Sequence, residues 1–314
     1  HDLKAPVWDR LTRSLPEGRA QWHRIDVDTT GLCREGFGTR AYDHISPVCY
    51  LRLLLPELLP GDVEKVLYLD CDLIVREDLS SLWETDVSAT AFAAAHELCT
   101  PDMKARLVDG VRYHRELGLT RDRARLNSGV LLMNLTQWRR SQLALRAFTY
   151  LRVLGDDVLW YEQEALNVVA RDEYRALDPR WNVPSQWAAQ WPHEHVSIVH
   201  YLTAKKPWHW DYDWAESSSF FAALDRTPWA GWRPARPRWG QARRLMGSLM
   251  KALRKRAYAA RRATLALQRN LDYRQVRPQT LTGGMPALAH RNASPEVRLF
   301  MAVDHVDDRL CRTL

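Results

Sequence analysis

Two carboxylates one residue apart, Asp70 and Asp72, follow the apolar run KVLYLD. At a period of two, both project to one side of a strand, and ligand sites of open α/β sheets lie at strand carboxyl ends. Two hard carboxylates there suit Mg²⁺ or Mn²⁺ bridging phosphates. The plain alternative is a solvated turn. Against it stands apolar sequence on both sides, with Leu73-Ile74-Val75 following, where acids are costly unless paired or coordinating. His200 ends SIVHY, and Lys206 follows six residues on, before Pro207-Trp208. A lone His after a strand is more often a satisfied structural residue than a ligand. Imidazole does complement carboxylates on Mn²⁺, and lysine is a common point charge for phosphate. Together these residues would make a metal–diphosphate clamp. Asn127-Ser128-Gly129 is a polar break opening a strand, either a plain turn or a hydroxyl or diphosphate contact. Glu162-Gln163-Glu164 opens a helix, where pairing with the macrodipole suffices for either Glu.

The elements that must position these residues follow from periodicity. Residues 22–27 (WHRIDV) predict a short strand, and Ser46-Pro47 a helix start capped by Ser. The segment VCYLRLLLPELLP is apolar all round, which predicts a well-buried helix. KVLYLD has the look of a buried parallel strand. Residues 78–83 read as a helical turn, and residues 91–97 and 126–135 as strands. Residues 136–154 predict one amphipathic helix, residues 161–170 another, and residues 196–201 a closing strand. Strands alternating with helices indicate an α/β domain.

The 314 residues are 46% hydrophobic and 26% charged, as in a globular chain with a real core. A net charge of +7 suggests nucleic acid or an anionic membrane, but the charge is uneven. Residues 232–275 hold 13 Lys and Arg against one acid, Asp272, giving +12; residues 276–314 carry +1, leaving −6 on residues 1–231. The basic segment lacks a nucleic-acid-binding motif, and its Leu/Met stripe suits an interface better than a groove, so no nucleic acid is expected. No stretch approaches the ~20 apolar residues of a membrane span. The opening HDLKAPVWDR has neither an initiator Met nor the apolar core of a signal peptide, so the chain reads as a fragment. Cys33, Cys49, Cys71, Cys99 and Cys311 are odd in number and lack C-x-x-C, which favours a reducing cytosol over disulfides or a thiolate zinc site. The heavy use of Arg, Ala and Trp suggests a bacterium of high GC content.

Five ordered motifs carry a resemblance: YLRL at 50–53, VLYLDCDLIVREDLSSLWETD, LNSGVLLMNLTQWR, EQEALN and HYLTAKKPWH. In this order they resemble glycosyltransferase family 8, the retaining transferases of lipopolysaccharide galactosyltransferase and glycogenin type, over residues 40–225. The resemblance implies a Rossmann-like nucleotide-diphospho-sugar transferase fold of GT-A type, Mn²⁺ (or Mg²⁺) and a UDP-sugar donor. It implies Asp70, Asp72 and His200 as metal ligands, Lys206 on the diphosphate and Arg52 near the donor. Glu97 would face the donor sugar, Asn127 would contact it, and Gln163 would lie on the β-face of the anomeric carbon. The activity implied is transfer of a hexose with retention to a glycan or lipid-linked acceptor, in lipopolysaccharide or cell-surface glycan synthesis. For the basic segment, the resemblance to bacterial members that build surface glycans implies docking of residues 229–270 on an anionic membrane surface, hence a cytoplasmic protein peripheral at the inner face. Packing of an amphipathic helix on a neighbouring domain is the alternative.

Three departures from the family pattern stand out. Glu162-Gln163-Glu164 replaces D-Q-D, and Thr203 stands where the family has a Gly. The family's opening strand, with its acidic uridine-binding motif, has no counterpart before residue 40. The division expected is a catalytic domain over 1–225 lacking its first strand, a basic Trp/Arg-rich arm over 226–275, a linker over 276–295 and a strand-helix start over 296–314. That last segment, EVRLFMAVDHVDDRLCRTL, resembles the missing strand, with Asp304 near the uridine-binding acid. It is either the start of a second domain in a cut tandem protein, the reading favoured here, or a permuted first strand; pairing of residues 298–304 beside the KVLYLD strand would favour permutation. Two rival functions remain. One is a catalytically impaired or incomplete nucleotide-sugar-binding domain. The other is a haloacid dehalogenase-type phosphatase, for which Asp156-Asp157 would supply the second metal site and Ile74 departs from the expected Thr or Val.

Overall fold

Along three central segments the apolar residues alternate between two hydrophobic clusters. Val66, Tyr68, Phe92, Ala94, Leu131 and Met133 enter one cluster, and Leu67, Leu69, Ala93, Ala95, Val130 and Leu132 the other, the period of two of a sheet covered on both faces. The computed structural model describes residues 5–14, 25–27, 32, 47–100, 103–107, 111, 113–115, 117–120, 122–171, 173–192, 195–213, 216–235, 290–291 and 299–302. Asp304 and residues 236–275 of the basic arm lie outside them, as does Ser46.

The strands that frame the site are β1 (Lys65–Asp70), β2 (Leu73–Val75), β3 (Phe92–His96), β4 (Leu126–Asn134), β5 (Tyr174–Ala176), β6 (Val183–Pro184), β7 (Ile198–His200) and β8 (Leu299–Ala302). The main sheet has the order β8-β1-β4-β3-β5, and a smaller sheet the order β2-β7-β6. β1 runs antiparallel to β4, from Lys65 opposite Asn134 to Leu69 opposite Val130, and parallel to β8, with Ala302 level with Asp70. Burial on both faces, rather than parallel neighbours on both sides, therefore makes KVLYLD continuously apolar. The β8 register is the parallel pairing beside β1 that a permuted arrangement requires. A register shift between Ala94 and His96 lets β3 follow β4 back to Leu126.

The helices that cover one face are α1 (Leu51–Leu58), α2 (Leu135–Arg140), α3 (Leu143–Leu154) and α4 (Tyr161–Val169). A 3₁₀ turn, Pro47–Tyr50, leads into α1. Asn134 ends β4 and caps α2, its side chain accepting from the Gln137 N–H, as an Asx residue does at an N-cap. The single helix expected over 136–154 is two, because Gln142 takes a φ of 53° and turns the chain so that Leu143, Ala147, Phe148 and Leu151 enter the core. Among the described residues no helix is long and apolar enough to cross a membrane.

Candidate active site

Asp70 ends β1, Asp72 lies in the turn to β2, and His200 ends β7, which pairs His200 with Leu73. The Tyr201 N–H donates to the Asp72 carbonyl at 3.0 Å, so the small sheet fixes the imidazole against the second acid. His200 Nε2 lies 3.1 Å from Asp72 Oδ1 and 3.8 Å from Asp70 Oδ2. Ligand atoms of these three residues all lie within 4.8 Å of one another, and they are the one group among the described residues able to hold a metal ion. Asp157 accepts from the Tyr113 hydroxyl at 3.1 Å.

The surrounding hydrogen bonds determine which atoms are left for a ligand. The Asn127 Oδ1 accepts from the Gly129 N–H at 2.9 Å and from Asn182 Nδ2 at 2.8 Å. Asn182 therefore turns its oxygen to His200 Nδ1, 2.8 Å away. Asn182 thus supports the imidazole at Nδ1, as outer groups ordinarily support metal-binding imidazoles, while Nε2 faces both acids and bonds to Asp72 Oδ1. Asp70 is divided likewise. Its Oδ1 accepts from the Tyr68 hydroxyl at 2.7 Å and meets Arg52 at 3.0 Å, leaving Oδ2 toward His200. Asp72 gives Oδ2 to Lys206 Nζ at 2.5 Å, and Lys206 also reaches the Tyr201 carbonyl. Burial pushes the Asp72 carboxyl up, but the charges and hydrogen bonds of His200 and Lys206 outweigh it and hold the group far below the usual carboxylate range. The backbone of β4 passes against this cluster at Gly129. A Cβ there would lie 2.2 Å from His200 Cε1 and 2.8 Å from Asp70 Oδ2.

Arg52, on α1, is buried and joins two acids. It meets Asp70 at 3.0 Å and Glu162 Oε1 at 3.3 Å, donates to the Ser128 carbonyl at 2.8 Å, and sits 4.7 Å over the Tyr68 ring. Burial pushes the Glu162 carboxyl up, and Arg52 pulls it partly back. Removing Arg52 would leave buried acids uncompensated, a loss of about 3–5 kcal/mol. Glu164 is spent on the backbone: Oε2 accepts from the Leu159 and Trp160 N–H groups, and Oε1 from the Tyr150 hydroxyl. Between these glutamates, Gln163 accepts from the Ser128 N–H at 3.1 Å and donates to Glu97 Oε2 at 3.1 Å. Glu97 is held by both ends of Arg125, at 2.9 and 2.7 Å.

Asp70, Asp72, His200 and Lys206 thus form one contact network, extended through Arg52 and Ser128 to Gln163 and Glu97. Asn127 belongs to it through Asn182 and His200. Thr203 turns its hydroxyl to the Lys205 carbonyl. Tyr68, Arg125 and Asn182 were not singled out from sequence. Tyr68 shares a strand face with Asp70 at a spacing of two, a signal that was there to use. Asn182 lies far along the chain from the groups it orients and carries no local signal.

A mixed sheet with acids at the end of a central strand, a second small sheet carrying a histidine and helices on one face defines a GT-A-type glycosyltransferase fold. The galactosyltransferase LgtC, solved with donor and acceptor sugar analogs, superposes on it with a TM-score of 0.59 at 26% identity, over 75% of this chain and 84% of that one. The glycosyl transferase family 8 model matches residues 34–211, and the chain belongs to that family. General stress protein A of Bacillus subtilis is 25% identical over 203 residues, 59% of this chain and 68% of that protein. The probable galacturonosyltransferase-like 10 of Arabidopsis thaliana is 27% identical over 177 residues, 52% of this chain. The chain spans about half the length of that plant relative.

Proposed function

We propose that the chain is a divalent-metal-dependent, retaining hexosyltransferase that moves a hexose from a UDP-sugar to a glycan or lipid-linked acceptor. The observation that carries the proposal is the convergence of Asp70, Asp72 and His200, with Lys206 on the remaining oxygen of Asp72. Two carboxylate oxygens and an imidazole nitrogen suit Mn²⁺ or Mg²⁺, Nε2 is turned to the two acids, and Gly129 leaves the space. A bound cation of this kind would supply Lewis-acid stabilisation of the departing diphosphate. Lys206 adds a positive charge at the same place, where negative charge develops on the leaving group. Arg52 and Tyr68 keep Asp70 oriented, and Asn182 supports His200 at Nδ1. Glu97 and the Ser128 N–H hold the Gln163 amide in one orientation. An amide is a poor nucleophile, so attack of the acceptor hydroxyl on the donor's own face accounts for retention better than a glycosyl-enzyme does. The hexose class is supported by LgtC, described as a galactosyltransferase.

Residues 1–225 form the catalytic domain in this proposal, with β8 standing in as a permuted first strand and Asp304 beyond it serving the uridine. The parallel β8–β1 register supports that assignment. The basic arm over 226–275, joined to β8 through the linker 276–295, would dock through residues 229–270 on the inner, anionic membrane face, in lipopolysaccharide or cell-surface glycan synthesis. Its +12 over residues 232–275 supports this. The test combines Mn²⁺ with a panel of UDP-sugars, reading transfer and the anomeric configuration of the product by proton NMR. Asp70→Asn should abolish turnover with the thermal midpoint preserved. Absence of transfer, of donor hydrolysis and of UDP binding would remove the proposal. A nucleotide-binding but impaired domain is the second reading, favoured by the engagement of Glu162 and Glu164 in structural bonds; UDP binding at micromolar Kd without turnover would establish it.

A further inference from the structure

Tyr201, the residue after His200, is bonded at three points. Its N–H donates to the Asp72 carbonyl at 3.0 Å, and its own carbonyl accepts from Lys206 Nζ at 2.5 Å. Its hydroxyl donates to the Glu216 carbonyl at 2.9 Å, 15 residues along the chain. The side chain is 1% exposed. It packs with Val183, Ala188 and Val199, and the Tyr212 and Phe220 rings stand edge-on to it at 6.1 Å. Glu216 is tied down in turn. It immediately precedes the helix α5 (Ser217–Leu224), and its buried carboxylate pairs with Arg76 and accepts from Ser219 Oγ at 3.0 Å. Arg76 follows β2, and its N–H donates to the Ser197 carbonyl at 2.8 Å. The loop that carries Lys206 therefore runs from one end of a buried tie to the other. Within it the Thr203 hydroxyl bonds to the Lys205 carbonyl, and the Lys206 N–H donates to His209 Nδ1 at 3.3 Å. Those bonds shape the loop but do not set Lys206 against the acids.

We propose that Tyr201 is a positioning residue for diphosphate recognition: its hydroxyl latches the Lys206 loop to Glu216 and so sets the ammonium beside Asp72. The inference rests on the transferase reading above. Lysine is a point charge on a flexible four-carbon stem, so its placement depends on what holds it. Of the two oxygens that hold Lys206 here, the Asp72 carboxylate would be shared with a bound cation. The Tyr201 carbonyl would not, which makes it the fixed point from which the ammonium meets a diphosphate. Removing the phenol hydroxyl leaves the Glu216 carbonyl without that donor and frees the loop to leave its place. Lys206 then stands in the competent position for part of the time, and apparent affinity falls by that fraction. Tyr201 acts through Lys206 and does not itself meet the donor.

Calorimetric titration of the full chain with UDP and with UMP, each in saturating Mn²⁺, separates recognition of the diphosphate from that of the nucleoside. Tyr201→Phe should weaken UDP about fivefold, the worth of one buried hydrogen bond, and leave UMP within about twofold. Tyr212→Phe removes the hydroxyl of the neighbouring ring, which lies 3.3 Å from Ser185 Oγ, and should change neither. An unchanged UDP-to-UMP ratio in a folded Tyr201→Phe would overturn the proposal, because the phenol would then serve only the packing of its cluster. An equal loss of both nucleotides would overturn it for the same reason, and so would the same selective loss in Tyr212→Phe. Should Tyr201→Phe fail to fold, Glu216→Gln decides by the same ratio, since it weakens the tie to Arg76 at nearly unchanged shape. A loss confined to UDP supports the latch, and an unchanged ratio overturns it. Absence of Mn²⁺-dependent UDP binding in the wild type would instead remove the transferase reading, and this inference with it.

Discussion

Gly129→Ala adds one carbon at the point where β4 passes the cluster. The new Cβ would lie 2.2 Å from His200 Cε1 and 2.8 Å from both His200 Nδ1 and Asp70 Oδ2, so ring and methyl must part by about 1.2 Å to reach ordinary contact. Neither side yields readily. The strand is held one residue on, where Val130 pairs with Leu69, and it is buried throughout this stretch. The ring is 2% exposed and is held by Asn182 at one nitrogen. Overpacking of this kind costs about 1–3 kcal/mol, or roughly 2–12 °C in Tm for a domain of this size. The larger effect falls on the site, because pushing the ring away from Gly129 breaks the Asn182 bond or moves Nε2 off the two acids. Disturbed support of a metal-bound His lowers affinity about 10–100-fold. Calorimetric titration of Mn²⁺ in the presence of UDP, with thermal denaturation in parallel, reads both quantities. Wild-type Mn²⁺ affinity in a folded Gly129→Ala would refute the reasoning, since the cation would then not depend on the geometry of His200 and Asp70.

Asn182→Leu removes the polar group that holds His200 Nδ1 while keeping the branched shape; Mn²⁺ affinity should fall about 10–100-fold, and an unchanged titration would show that the Asn182–His200 bond does not matter. His96 Nε2 meets the Tyr174 hydroxyl at 3.0 Å, and burial, then the charge of Lys104, hold its imidazole down to about 4 from an ordinary 6.5. Between those values the unfolded chain binds a proton that the native state refuses, so stability falls as pH is lowered from about 6.5 toward 4. Urea midpoints at pH 5 and 7.5 should converge in His96→Gln relative to wild type. Deleting residues 296–314 removes β8 and bares the edge of β1; the expected loss is about 2 kcal/mol, or roughly 4–8 °C in Tm, and an unaltered midpoint would show that this strand adds nothing to the sheet in solution.

The acid pair was legible because its signal is local: a period-two strand ending on Asp70, with Asp72 at the next same-side position. Partners contributed by distant elements were less accessible. His200 and Lys206 were placed through the order of five motifs, since one histidine after a short strand has no meaning until β7 is known to pair with β2. Asn182 stayed hidden for the same reason, its function lying wholly in contacts to residues 127 and 200. KVLYLD was legible as a buried strand because it is a short apolar run, but its mixed pairing, parallel to β8 and antiparallel to β4, was not, because burial on both faces produces the same run with either neighbour. The break at Gln142 was missed because a left-handed residue that is neither Gly nor Asn carries little sequence signal.

From sequence, pairing with the helix macrodipole sufficed for either glutamate around Gln163. In the structure each has a different structural task. Glu162 reaches Arg52 and, through it, balances the same guanidinium that holds Asp70. Glu164 reaches back to cap two N–H groups of the loop carrying Trp160. Both tasks draw on the length of a glutamate side chain. Gln163, between them, is the residue of the three that bonds to both Ser128 and Glu97. The tripeptide therefore ties Asp70 on one side to the loop of Leu159 and Trp160 on the other, with the amide at the junction. A substitution at either glutamate is expected to act through position, on Arg52 and Asp70 in one case and on the loop of Leu159 and Trp160 in the other.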